Sequence, residues 1–290
     1  MIYLTKNIGE ELLLTVKKLS RPVRLLTVML VMIIALTSCY VSGSSGGGHI
    51  SLGGGPGTPS GNPPSGSGNV SFEGEEGRLT ADEHKIAVFL GSSIEGFWAR
   101  NDRGNGHPFN CSFSNKNAVI SDDRLTISLT ESGGKYIGAE YRSAERFSYG
   151  YFSTRMKAAK GDGIISSFFT YTGHPWDEID IEFLGDDTTR VQFNYFTRGV
   201  GHHEYVYDLG FDASEDFHEY GFDWQPDSIT WYVDGRAVYR ATKNIPTTAG
   251  QLMVNIWNVA DSNADWAGKF DPKNLPATAE YLWFGYQSAE

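Results

Sequence analysis

The chain has 290 residues, 40% hydrophobic and 13% aromatic, enough apolar material for one large core or two small ones. A formal charge of −11 argues against nucleic acid or an anionic membrane surface as the main partner, because both select basic faces. A neutral ligand fits better.

Residues 1–38 read as a targeting segment. Lys6, Lys17, Lys18, Arg21 and Arg24 precede the apolar run LLTVMLVMIIAL, which is too short to span a bilayer comfortably and suits the hydrophobic region of an export signal. The run ends in LTSC, which resembles the lipobox of bacterial lipoproteins, cleaved before Cys39 and acylated on its thiol. The expected location is the bacterial cell surface or outer membrane, with the lipid anchor as the sole membrane contact; the alternative is an ordinary secreted protein. Residues 39–83 are rich in Gly, Ser and Pro and offer almost nothing to bury, so they are expected to form a flexible tether. Residues 84–290 have a globular composition.

Within that stretch the runs RLTISLT, YGYFSTRMKA, RVQFNYFT, HEYGFDW, SITWYVDGRAVYRA, QLMVNIWN and EYLWFGY favour β-branched and aromatic residues, with turn residues between them. Asp-Gly inside WYVDGRAVY signals a tight hairpin, because both residues accept a positive φ. No amphipathic helix stands out. The predicted fold is a single all-β domain, a jelly-roll β-sandwich with its substrate cleft on the concave sheet.

HPWDEIDIEFLG, residues 174–185, places Glu178, Asp180 and Glu182 at alternate positions. Period two is the signature of a strand, so the three acids share one face while Ile179, Ile181 and Phe183 share the other. The apolar face belongs to a core; the acids line something wet. Two carboxylates flanking a bond are the equipment of glycoside hydrolysis, one as acid and base, the other as nucleophile or second base. Four strand residues separate the Glu178 and Glu182 backbones by ~13 Å, and side chains leaning together close this to roughly the 5–6 Å of a retaining pair. Asp180 between them raises the cost of ionising all three, so at least one holds a proton near neutral pH. These residues alone do not say which glutamate plays which part, and a bare E-x-D-x-E also suits a solvated strand face.

With its motifs taken together, the chain resembles glycoside hydrolase family 16, and within it the bacterial lichenases that act on mixed-linkage glucans. SSFFTYTG, WDEIDIEFLG, TTRVQFNYFTRGVG, LGFDAS, FDWQPDSITWYVDG and VNIWN follow in the family's order and cover most of residues 95–290. The resemblance implies a retaining endo-glucanase that cleaves β-1,4 bonds through a covalent glycosyl-enzyme, with Glu178 as nucleophile, Glu182 as acid/base and Asp180 as auxiliary acid. It also implies substrate contacts at Asn105, Glu140, Arg142, Phe169, Trp176, Asn194, Asn255 and Trp257. Amides and aromatic faces suit a polyol whose ring also offers C–H surface. The uninterrupted EIDIE points to the lichenase and xyloglucan-active branches, since the laminarinase-like branch usually carries one more residue there. A xyloglucan- or β-1,3-glucan-active enzyme of the same fold, or a glycan-binding lipoprotein without activity, are the alternatives.

Several positions depart from the family pattern. Gly138 stands where a second cysteine usually pairs with the one matching Cys111, so Cys111 is expected to be a free thiol. Phe196 and Arg103 replace tyrosines, and the loop before Trp176 is short. Leu282 occupies the place of a calcium-binding aspartate, so tightly held calcium is not expected, nor is any other metal or cofactor. The adjacent histidines of GHHEY are expected to point apart and not to chelate. The protein is expected to act as a monomer on a β-glucan polysaccharide.

Overall fold

The computed structural model describes residues 85–89 and 93–289. The expected signal segment, Cys39 and the tether lie outside the described residues.

The β-rich runs form strands in two layers. One layer is ordered β11 (Tyr205–Asp208), β10 (Arg190–Phe196), β9 (Glu178–Leu184), β8 (Ile164–Tyr171), β15 (Gly250–Asn258) and β6 (Lys135–Phe147), with β2 (Phe97–Ala99) also paired to β6. The long β6 pairs at its start with β5 (Arg124–Ser132), which carries the ladder into the second layer. That layer continues through β16 (Ala277–Ser288), β7 (Gly150–Lys157), β12 (His218–Gln225), β13 (Ser228–Val233) and β14 (Arg236–Ala241), so the sheet curls over on itself as a jelly-roll sandwich. At the Asp-Gly turn, Asp234 and Gly235 have φ of 45° and 79°, the paired left-handed conformation that a two-residue hairpin needs. The α-helix α1 (Ala264–Ala267) is only four residues long.

Alternation along the strands turns one face of each towards the core between the layers. Ile179, Ile181 and Phe183 of β9 are buried with Phe168 and Phe193 of neighbouring strands and with Phe222, Trp231 and Tyr281 of the opposite layer. Each fully buried aliphatic or aromatic side chain contributes about 1.5–3 kcal/mol relative to exposure, so this apolar row fixes the strand's facing. A slip of one residue would put the acids in the core and the isoleucines outside. Two polar bonds cross the core as well: the Trp231 indole Nε1 donates to the carbonyl of Asp180 at 3.1 Å, and the Tyr281 hydroxyl donates to the carbonyl of Ser167 at 2.9 Å.

Among the described residues Cys111 has no disulfide partner. A Cβ built on Gly138 would lie 3.1 Å from its Sγ and collide with the carbonyl oxygen of Ile256, so the glycine backbone packs directly against the thiol. Burial pushes the Cys111 thiol up to about 12, which leaves it a small apolar filler and not a nucleophile.

Candidate active site

On the face of β9 away from the core, strand register builds three cross-strand rows. Glu182 stands between Gln192 on β10 and Ser167 on β8, and its row continues through Asn255 on β15 to Glu140 on β6. The row of Asp180 runs from Asn194 through Phe169 and Met253 to Arg142 and Trp98. The row of Glu178 joins Phe196, Tyr171 and Gln251. Directly opposed residues of antiparallel strands project from one face, so groups remote in sequence become neighbours. No bulge interrupts β9 against either neighbour.

These rows floor an open cleft lined by the three acids with Arg100, Asn105, Phe109, Glu140, Arg142, Ser167, Phe169, Tyr171, Met253, Asn255 and Trp257. The acids are 3%, 3% and 6% exposed in chain order, which makes their full ionisation costly. Burial is the main cause that raises all three above the ordinary carboxylate range. Asp180 is raised further by the charges of Glu178, Glu182 and Glu204, and it hydrogen-bonds Glu178. It is therefore the proton holder of the row. Glu178 gains two groups that favour its anion: the bond from Asp180, and the Trp176 indole, whose Nε1 donates to Oε2 at 2.6 Å. Glu182 has one, from Gln192 Nε2 at 3.0 Å.

The turn before β9 aims Trp176. Its φ of 39° is left-handed, unusual for a bulky residue, and is held by its own N–H on the Gly173 carbonyl and by the Gly199 N–H on its carbonyl. The ring stacks on Phe196 at 4.8 Å. Beneath it the buried carboxylate of Asp177 accepts the N–H groups of Arg198, Thr247 and Thr248 at 2.7, 3.0 and 3.0 Å, pinning two further loops to this corner.

The expected substrate residues are placed unequally. Glu140 and Arg142 form an ion pair on the cavity wall, and Arg100 Nη1 joins it, 3.5 Å from Glu140 and 2.5 Å from Asn105 Oδ1. Asn255 Oδ1 accepts the Ser167 hydroxyl at 2.7 Å, which commits its oxygen to the protein and leaves its NH₂ as a donor for a ligand. Trp257 is 1% exposed and packs at a tilt on Phe109, ring centres 3.9 Å apart, so it forms the wall at one end. Trp176 sits beside Glu178 and not on the cavity lining. Asn194 stands next to Asp180, but its Oδ1 accepts the N–H of Tyr195 at 2.8 Å and it does not line the cavity. Arg100, Gln192, Ser167, Tyr171 and Trp98 belong to the site and were not anticipated. Trp98 is exposed, and the Arg142 guanidinium lies 5.1 Å from its ring centre.

The residues present do not fit the calcium site implied by the family resemblance. Leu282 supplies no side-chain oxygen, and among the described residues no group of three or more His, Cys, Asp or Glu is placed to hold a metal. His203 stacks on Tyr195 at 4.0 Å, while His202 sits at a φ of 66°.

The raised Asp180 carboxyl has a measurable effect on stability. Between its ordinary value of 3.8 and its higher folded value, the folded state binds a proton that the unfolded chain has released, so stability falls as pH rises through that window. Asp180→Asn keeps a donor towards Glu178 and carries no such loss. Its melting temperature should exceed the wild type by about 2–4 °C or more at pH 7–8, with the gap closing as pH approaches 4. Thermal melts across pH check this; a gap independent of pH would contradict a proton on Asp180.

Residues 105–274, more than half of the chain, match the family model for glycosyl hydrolases family 16. A xylanase/beta-glucanase of Ruminococcus flavefaciens is 49% identical over 214 residues, covering 69% of this chain and 26% of the relative. A beta-glucanase of Bacillus subtilis (strain 168) is 49% identical over 198 residues, covering 66% of this chain and 81% of the relative. Thus the chain spans about a quarter of the first relative's length and most of the second's. Among solved structures, a prokaryotic beta-1,3-1,4-glucanase (lichenase) from a mouse hindgut metagenome is 48% identical with a TM-score of 0.67, covering 70% of this chain and 98% of that one.

Proposed function

The chain belongs to glycosyl hydrolase family 16, and from that premise we propose that it is a retaining endo-glucanase hydrolysing β-1,4 bonds in mixed-linkage β-1,3-1,4-glucans such as lichenan and cereal β-glucan. The observation that carries this reading is the bulge-free row of three buried acids flooring one cleft whose walls are amides, an ion pair and aromatic rings. Glu182 protonates the glycosidic oxygen while Glu178 attacks the anomeric carbon and forms a glycosyl ester. Glu182, now ionised, takes a proton from water as the water displaces Glu178. Asp180 and Trp176 donate to Glu178 and favour the attacking anion against the burial that raises it. The names of the relatives, beta-glucanase and lichenase, support the substrate class.

Incubating the purified chain separately with barley β-glucan, curdlan and xyloglucan, and following the first-formed anomer by proton NMR, tests this. Short oligosaccharides from barley glucan that appear first as the β anomer are expected. Preferred cleavage of curdlan or xyloglucan would transfer the reading to those substrates, and an α product would refute retention. The LTSC sequence further supports export and lipid anchoring through Cys39, with a monomer held at the bacterial surface. Labelled palmitate incorporation in the host is the check.

A further inference from the structure

Two hydrogen bonds run in series from α1 to Glu182. The Trp266 indole Nε1 lies 3.1 Å from Oε1 of Gln192, and Nε2 of Gln192 lies 3.0 Å from Oε2 of Glu182. Gln192 is 2% exposed and stands directly across the β9–β10 ladder from Glu182. An amide reads almost the same either way round, but an indole N–H donates and cannot accept. The ring therefore requires the carbonyl end of Gln192, and the NH₂ end is left for Glu182. From this geometry we infer that Trp266 is a positioning residue for the acid/base: by fixing which way round the Gln192 amide sits, it decides that Glu182 meets a donor and not an acceptor. The inference rests on the reading of Glu182 as acid/base given above.

A donor at that oxygen favours the carboxylate, whereas a reversed amide would accept a proton from the carboxylic acid and favour that form. The titratable groups facing Glu182 are Glu178 and Asp180 on its own strand and Glu204 from the segment between β10 and β11, all acidic. Burial and Glu204 push Glu182 up, to about 7, and the Gln192 bond opposes them. Ser167, its neighbour on β8, carries no charge. A retaining acid/base must give a proton in one step and take one in the next, so its affinity for the proton has to stay close to the working pH. Trp266 is well supported for this task, since it packs with Trp257 at 6.1 Å on the satellite cluster of Phe109, Phe113 and Ile165.

Trp266→Phe keeps an aromatic ring and removes the N–H. The Glu182 carboxyl carbon, ¹³C-labelled and assigned by its loss in Glu182→Gln, should titrate about one unit higher in this variant than in the wild type. The alkaline limb of kcat/KM on barley glucan should move by the same amount, with KM nearly constant. In a Gln192→Leu background, the further change Trp266→Phe should move neither readout. An unchanged Glu182 titration in Trp266→Phe, or an equal shift in the Gln192→Leu background, would overturn the proposal, as would a raised KM with unmoved pH limbs. If circular dichroism shows Trp266→Phe unfolded, benzothienylalanine at 266 replaces the N–H by sulfur in a ring of the same shape, and the same outcomes decide. The carboxyl titration does not depend on turnover. A wild-type chain inactive on glucan would therefore refute the enzymatic reading while the titration still judged the amide.

Discussion

Replacing Glu178 by alanine should lower turnover of mixed-linkage glucan by about four orders of magnitude or more, because the covalent route loses its nucleophile and no other side chain can take its place. Asp180 is on the same face, but it keeps its proton and stands one row away, beside Phe169 and not Tyr171. Azide is small enough to occupy the volume vacated by the carboxylate. It should restore reaction of an activated aryl glycoside and yield the α-glycosyl azide, since one displacement inverts the anomeric carbon. Retention of wild-type activity, or rescue giving the β azide, would move the nucleophile elsewhere.

Glu182→Ala should fail differently. Cleavage of the natural bond needs a proton on a poor leaving group, so glucan turnover should fall by about two to four orders of magnitude. An aryl glycoside with a good leaving group needs no such help, and its glycosyl-enzyme should form normally and then accumulate, because no base remains to activate water. Azide needs no base and should release the intermediate as the β-glycosyl azide, after two inversions. Product configuration from the two alanine variants, read by NMR, thus assigns each glutamate independently of any rate. The same anomer from both would contradict the division of labour.

How much of this could be read from the chain depends on distance in sequence. The facing of β9 was legible, because EIDIEF states both faces within six residues and only a strand separates them. The hairpin at Asp234 and Gly235 was legible for the same reason: its signal is local. The partners of the acids were not. Gln192 and Ser167 become neighbours of Glu182 only through ladder register, and nothing in RVQFNYF or SSFFTYTG says which residue will stand opposite which. Arg100 sits 40 positions from Glu140 and reaches it through tertiary packing alone. Asn194 illustrates the converse. Its position in the row suits a sugar contact, but its Oδ1 accepts the N–H of Tyr195, a local competition that residue type does not reveal and that leaves only its NH₂ as a donor. Leu282 and Gly138 were legible as departures from the family pattern because each is a single residue lacking the functional group usual there.

The bonds from Trp231 and Tyr281 to the carbonyls of Asp180 and Ser167 bear on how the molecule breathes. Each ties a strand beneath the cleft to the opposite layer, at positions where the side chains above are an acid and the hydroxyl that holds Asn255. To open locally, β8 or β9 would have to abandon a core-crossing bond as well as its ladder on both sides. Partial unfolding therefore belongs to the outer strands β2, β11 and β14, which have fewer neighbours. The floor of the cleft parts from its support only when the whole sandwich does. Fluctuation at working temperature is thereby confined to these outer strands, and the carboxylates keep their mutual geometry until the domain itself melts.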